Sequence, residues 1–171
     1  SYDNIEIVIS DHSRDKNIKN FIDSYSSKYS IRYYHNPIMK GSSSHNTNNA
    51  IEKCNGEYIK IMFMDDYLYN KDGIKMIVDE FQKYPDKKWL VHNYEHTKDY
   101  KVFYNKHMPK FSHDIIFCNR IGCPSCLTIH RSVDEKFDIN LKWFMDSEYY
   151  SRLLNKYKEP IFLNTGNIDP I

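Results

Sequence analysis

Residues 58–64 form a mostly apolar run that ends abruptly in two adjacent carboxylates, Asp65 and Asp66. A run of this length and composition is typical of a buried strand, and buried strands of this kind occur in α/β proteins whose sheets are covered by helices. In open α/β sheets, ligands bind in the crevice outside the carboxyl ends of the strands. The acid pair therefore indicates both a fold class and the edge of the sheet at which a site would lie.

Strand and helix patterns alternate along the chain. Further strands are predicted from composition at residues 5–10, 31–35, 89–94 and 125–130. Helices are predicted from the spacing of apolar residues at 18–25, 47–54, 74–81 and 146–157. This alternation favours a three-layer α/β fold in which a mainly parallel sheet is covered by helices. Residues 95–119 are the least regular and are predicted to form a loop-rich excursion with a short strand near 102–104.

The size and charge of the chain exclude several classes of protein. With 171 residues, no repeat and no linker, residues 1–171 are predicted to form a single domain. Lys and Arg (24) nearly balance Asp and Glu (23), so nucleic acid is not expected as a partner. No apolar stretch approaches the roughly 20 residues of a transmembrane segment, and no secretion signal is evident. We therefore expect a protein of the cytoplasm or of the inner face of a membrane.

The four cysteines are Cys54, Cys118, Cys123 and Cys126. In a chain of this length without a secretion signal, free thiols are expected rather than disulfides. The side-chain types of a zinc site are present in Cys118, Cys123, Cys126 and His130. Cys126 and His130 lie within one predicted strand, however, which is a poor geometry for shared chelation.

The adjacent carboxylates repel each other unless a cation is bound. Successive side chains of a strand point to opposite faces, so Asp65 and Asp66 cannot both chelate one ion if the strand stays extended through them. One is expected to bind metal and the other something beside it. Mg²⁺ or Mn²⁺ is usually held by one or two carboxylates, with phosphate oxygens and water as further ligands, so the pair suits a metal–diphosphate complex. The alternative is that the pair simply opens a turn.

A second predicted strand, residues 5–10, also ends in an acid, Asp11. If the two strands lie in one sheet, Asp11 and the acid pair reach the same crevice. Taken alone, Asp11 is equally explained as a turn residue or as a cap for the helix that follows.

Three segments together resemble family 2 of the GT-A glycosyltransferases. They are Ser10-Asp11-His12-Ser13, residues 48–59 (NNAIEKCNGEYI) and Met64-Asp65-Asp66. The middle segment, an Asn-x-Ala-Ile helix that closes on Gly-Glu-Tyr-Ile before an acid-tipped strand, is the most specific. Residues 126–131 (CLTIHR), 136–138 (KFD), 143–146 (WFMD) and 152–153 (RL) also follow in the family's order.

The resemblance implies a metal-dependent, inverting transfer of sugar from a UDP- or dTDP-sugar donor to the hydroxyl of a saccharide or other acceptor. Asp11 would match the acid that holds the uracil or thymine edge of the donor. Asp65 would match the acid on the ribose, and Asp66 the acid that holds Mn²⁺ or Mg²⁺ on the diphosphate. Asp146 would match the general base, with Glu148 as the substitute. An acid that opens a helix is, however, also favoured by capping and by the helix dipole.

The chain departs from the family pattern at its beginning. Family members start with a strand and helix that precede the segment matching residues 2–11, and that strand lies centrally, beside the Asp11 and Asp65 strands. Three explanations are open: a fragment truncated at the N-terminus, a natural minimal variant, or a homodimer in which the chain borrows a strand. Each predicts weak donor binding. Two other functions also stay open, a catalytically silent nucleotide-binding or interaction module of the same fold and a nucleotidyltransferase.

Overall fold

The computed structural model describes residues 2–39, 41–112 and 114–164. In chain order, its elements are β1 (Glu6–Asp11), α1 (Asn17–Ser24), β2 (Ser30–His35), α2 (Ser43–Lys53), β3 (Tyr58–Lys60), α3 (Gly73–Lys83), β4 (Trp89–His92), β5 (Tyr94–Thr97), β6 (Phe103–His107), a 3₁₀ turn (Pro124–Cys126), β7 (Leu127–His130), α4 (Met145–Tyr157) and β8 (Ile161–Leu163). Within the described residues, no helix is both long and apolar enough to cross a membrane.

The strands form three sheets. β1 pairs with β2 in parallel, and a four-stranded sheet has the order β3-β7-β4-β8. In the larger sheet β7 runs antiparallel to both of its neighbours, whereas β8 runs parallel to β4. β5 and β6 form a separate antiparallel hairpin. The predicted α/β architecture is confirmed, and β7 makes the larger sheet a mixed one.

β1 and β3 belong to different sheets, although each leads to candidate acids. Among the described residues, β1 pairs with β2 alone and β3 with β7 alone. The Glu6 side chain links β1 to the turn before β3, since its Oε1 accepts hydrogen bonds from the backbone N–H groups of Asn55 (2.5 Å) and Gly56 (2.8 Å).

The core lies around β4, β7 and the inner face of α4. The largest buried side chains there are Trp89, Tyr149 and Tyr150, and Leu153 extends the same face of α4. On the opposite side, Ile77 and Phe81 of α3 pack in a second cluster with residues of β4 and β8. The predicted inner faces of α3 and α4 are therefore confirmed, because burial selects the apolar side of each helix.

The periphery differs from what the sequence pattern alone indicates at α1, β5 and β8. α1 forms as expected, but it buries no residue, and Phe21 in its apolar stripe is 63% exposed. The helix lies beside β2, an edge strand of a two-stranded sheet, which offers too little surface to cover the stripe. The short strand expected near 102–104 is confirmed as β6, whereas β5, with which it forms a hairpin, was not predicted. The three-residue β8 was not predicted either, because it is too short for its pattern to be recognised.

His92, at the end of β4, should make the stability of the fold depend on pH. Burial, reinforced by the nearby charge of Lys60, lowers the pKa of His92 to about 3, although hydrogen bonds to the backbone of Asn93 and Ser125 oppose the shift. The unfolded chain has a histidine pKa of about 6.5, so between the two values it binds one proton more than the folded chain. The free energy of unfolding should fall by up to about 1.4 kcal/mol per pH unit below about pH 6.5.

Urea denaturation measured between about pH 7 and about pH 4.5 would reveal this slope. The matched control is His92→Gln, which keeps a hydrogen-bond donor but cannot titrate in this range. We expect a shallower pH dependence in the variant. Equal slopes in the two proteins would contradict the assignment of the effect to His92.

Candidate active site

Asp65 and Asp66 lie in a turn rather than on an extended strand. After β3 the chain leaves the ladder, and the N–H of Phe63 donates to Oγ of Ser125 (2.9 Å). The N–H of Asp66 then donates to the carbonyl of Phe63 (3.2 Å) and closes the turn. The strand is therefore not extended through both acids, so strand alternation does not place their side chains on opposite faces. Their environments nevertheless differ. Asp65 is exposed, whereas Asp66 is half-buried.

The carboxylate of Asp66 is only partly satisfied by the protein. Its Oδ1 is buried and has no hydrogen-bond partner among the described residues. Burial raises the pKa of Asp66 and the charge of Asp65 adds to this effect, while the Ser125 hydroxyl and the Lys60 charge oppose it. A buried carboxylate oxygen without a partner is unfavourable, and a cation would relieve it. Asp66 therefore fits the residue type and the environment of a ligand for a hard divalent metal.

Asp146 lies in the first turn of α4, directly after Met145, and its carboxylate is held from two sides. Oδ2 accepts a hydrogen bond from Nδ2 of Asn119 (2.7 Å), and Oδ1 accepts one from the N–H of Ser147 (2.8 Å). The positive end of the helix dipole also favours a negative charge here. These contacts fix the orientation of a half-buried carboxylate.

Glu148, the alternative to Asp146, is occupied by an ion pair. The guanidinium of Arg152 donates to both of its carboxylate oxygens, at 2.5 and 2.8 Å. Arg152 also pairs with Glu135. Glu148 therefore serves to position Arg152 on the side of α4.

The loop of residues 119–123 contacts both Asp146 and Asp66. Nδ2 of Asn119, which binds Asp146, also donates to the carbonyl of Gly122 (3.0 Å). The next residue, Cys123, places its Sγ 4.0 Å from Oδ2 of Asp66. The structure thus brings Asp66 and Asp146 to one loop, although they lie far apart in the sequence. Asn119 was missed by the sequence analysis, because a single polar residue in an irregular segment carries no periodic signal.

Asp11 ends β1 and is 3% exposed. Its Oδ1 accepts from the N–H of Ser13 (2.7 Å), and its Oδ2 accepts from the hydroxyls of Ser13 (2.8 Å) and Tyr33 (2.7 Å). Burial raises the pKa of Asp11, but these hydrogen bonds together outweigh burial and hold the pKa below its ordinary value. Asp11 is therefore an ionised carboxylate that the protein itself stabilises.

No hydrogen bond or ion pair joins Asp11 to Asp65, Asp66 or Asp146 within the described part of the chain. Asp66 and Asp146 therefore contact the same loop, whereas Asp11 lies at the end of β1 in the two-stranded β1–β2 sheet. Tyr33 was also missed, because the sequence alone does not report which residues of two strands lie side by side. In the parallel pairing Asp11 lies opposite His35, so Tyr33, two residues earlier on β2, projects from the same face.

Comparisons with known proteins place these residues in a family. The model described as "Glycosyl transferase family 2" matches residues 1–144, a range that includes the first three candidate acids and ends two residues before Asp146. No curated protein matches the chain significantly.

Solved structures with a similar fold include S. aureus TarS 1–349 alone, with UDP and with UDP-GlcNAc. Their identities to this chain are 17%, 18% and 18%, with TM-scores of 0.62, 0.65 and 0.63. The alignments cover 84%, 84% and 85% of this chain but only 44% of each TarS chain. These structures establish a GT-A-like fold. Because the family model matches well over half of the residues, the chain belongs to glycosyl transferase family 2.

Proposed function

We propose that this chain binds a nucleotide-diphospho-sugar and transfers its sugar to an acceptor hydroxyl with inversion. The observation that carries the proposal is that two half-buried carboxylates contact the same loop of residues 119–123, Asp146 through Asn119 and Asp66 through Cys123. Family membership supports the reaction class. S. aureus TarS has been solved with UDP and UDP-GlcNAc, which makes a UDP-sugar the first donor to test.

Asp66 would hold the divalent cation, Mn²⁺ or Mg²⁺. The partnerless Oδ1 supports this role. A bound cation would supply charge neutralisation for the departing diphosphate. Among the described residues, no group of three or more His, Cys, Asp or Glu side chains could hold a metal by itself, so the remaining ligands would come from the diphosphate and water. Asp65, which is exposed, would contact the ribose, and Asp11 the base.

Asp146 would act as the general base. An inverting transfer needs a carboxylate on the side of the anomeric carbon opposite the leaving group, where it accepts the proton of the acceptor hydroxyl. Asn119 and the N–H of Ser147 hold the carboxylate in one orientation, which reduces the reorganisation that proton transfer requires. The ion pair with Arg152 makes Glu148 the weaker candidate.

The acceptor side would lie beside the residues that precede α4. Trp143 is 82% exposed, and Phe144, also exposed, adopts a left-handed conformation (φ 60°). Strained backbone of this kind concentrates at functional sites. Two exposed aromatic faces next to the proposed base support a saccharide acceptor, whose apolar ring face can pack on them.

The test is incubation of the protein with UDP-GlcNAc and Mn²⁺, followed by separate assays for UDP and pyrophosphate. We expect UDP release, either to water or to an added acceptor, and we expect EDTA to abolish it. In a parallel incubation with UTP and a sugar phosphate, release of pyrophosphate would indicate a nucleotidyltransferase instead. Binding of UDP without turnover would indicate a catalytically silent module. In calorimetry we expect UDP to bind more weakly than a Kd of about 1 μM.

A further inference from the structure

Cys123 and Cys126 form a C-x-x-C pair within a single turn. The residues between them are Pro124 and Ser125, and the turn is closed by a hydrogen bond from the N–H of Cys126 to the carbonyl of Cys123 (3.0 Å). A four-residue turn of this type brings its end Cα atoms within about 7 Å. A disulfide requires a Cα separation of about 4.4–6.8 Å. The backbone therefore already provides the span that a disulfide needs.

The two thiols are reduced, close together and unequally accessible. Neither is in a disulfide, and the Cys126 thiol lies near enough to hydrogen bond with the sulfur of Cys123. Cys126 is 0% exposed, whereas Cys123 is only half-buried. An accessible thiol beside a buried one is the arrangement of an attacking and a resolving cysteine, and C-x-x-C spacing near strands and helices is typical of redox pairs.

We infer that Cys123 and Cys126 form a redox-active dithiol that reacts with low-molecular-weight disulfides. The sulfur of Cys123, after losing its proton, attacks one sulfur of the external disulfide; that S–S bond breaks and the first external thiol leaves. The sulfur of Cys126, after losing its proton, attacks Cys123 and displaces the second external thiol. The two protons end on the released thiols, and two electrons pass from the protein to the external disulfide.

The dithiol also adjoins the proposed donor site. Sγ of Cys123 lies 4.0 Å from Oδ2 of Asp66, and the Cys123 carbonyl accepts a hydrogen bond from the Tyr150 hydroxyl of α4 (3.0 Å). A nucleotide diphosphate and cation bound at Asp66 would therefore cover the accessible thiol. This second part rests on the proposed function, whereas formation of the disulfide does not.

The first test uses oxidised glutathione on the variant Cys54→Ser/Cys118→Ser, in which only the pair remains. We expect a product two hydrogen atoms lighter than the reduced protein, without a glutathione adduct, resistant to iodoacetamide and restored by dithiothreitol. Cys126→Ser in the same background should stop at the mixed disulfide with one glutathionyl group. Replacing the buried Cys126 could impair folding. Peptide mapping of the oxidised wild-type protein, which identifies a Cys123–Cys126 disulfide directly, therefore provides the same answer without a substitution.

Two results would overturn the inference. One is a stable glutathione adduct on Cys123 in the protein that retains Cys126. The other is a pair that stays reduced after the exposed Cys118 of the wild type has been fully modified.

The second test measures alkylation of Cys123 with and without UDP and Mn²⁺, with Cys118 as the internal reference. We expect selective protection of Cys123. A disulfide that forms without protection by UDP would contradict the placement of the donor and leave the redox pair standing.

Discussion

Replacing Asp146 with asparagine should lower turnover of the donor sugar by about 10²–10⁴-fold, the contribution usually made by a positioned general base. The amide cannot accept the proton of the acceptor, but it occupies the same volume. Donor affinity should be unchanged, because Asp146 contacts Asn119 and Ser147 and is proposed to act only on the acceptor. Steady-state UDP release gives kcat, and calorimetry with UDP and Mn²⁺ gives affinity.

The matched control is Glu148→Gln, a change of the other acid in the first turn of α4. Its effect on turnover should be much smaller than that of Asp146→Asn, since Glu148 is paired with Arg152. Its main effect should be a small loss of stability, because Arg152 would lose its ion pair with Glu148 and keep the one with Glu135. Retention of normal kcat by Asp146→Asn, or its loss in Glu148→Gln alone, would contradict the assignment of the base to Asp146.

Replacing Asp66 with asparagine should weaken Mn²⁺-dependent binding of UDP by about 100-fold or more. Substitutions in the shell behind the ligands of a metal already cost about 10–100-fold in affinity, so loss of a charged ligand should cost at least the upper value. Titration of UDP in the presence of Mn²⁺, and again in EDTA, measures the effect. In EDTA the wild type and the variant should bind UDP alike.

The same substitution should stabilise the protein in the absence of metal. Burial and the charge of Asp65 raise the pKa of Asp66, so its ionised form is less favourable in the folded chain than in the unfolded one. Because the pKa of Asp66 is higher in the folded chain than in the unfolded one, its contribution to the free energy of unfolding is present at low pH and lost as pH rises. A neutral amide at this position does not ionise, so the variant does not undergo that loss. We expect a higher free energy of unfolding at neutral pH without metal.

Asp65→Asn is the control for Asp66→Asn, because it removes the same charge from the neighbouring, exposed position. It should weaken UDP binding in EDTA as well as in Mn²⁺, since the proposed contact is with the ribose. A variant of Asp66 that keeps the metal dependence of the wild type would contradict the assignment of the metal to this residue.

The sequence predicted those helices in which one face is buried, because burial of one face makes apolar residues recur at a regular spacing. The buried faces of α3 and α4 repeat every three to four residues, and their burial is confirmed at Ile77, Phe81, Tyr149 and Leu153. The direction of β7 could not be predicted, because side chains alternate identically in parallel and antiparallel strands. The exposure of Phe21 could not be predicted either, since an apolar stripe specifies a face of the helix but not what covers it.

The sequence by itself determined where the candidate acids lie: one at the end of β1, a pair after β3 and one at the start of α4. Only the tertiary structure decided their relations. It placed Asp65 and Asp66 in a turn, left Oδ1 of Asp66 without a partner among the described residues, and brought Asp66 and Asp146 to the loop that contains Asn119 and Cys123. The physical reason is that local periodicity reports which side of an element is buried, whereas these contacts join segments far apart in the chain and arise only when the elements pack.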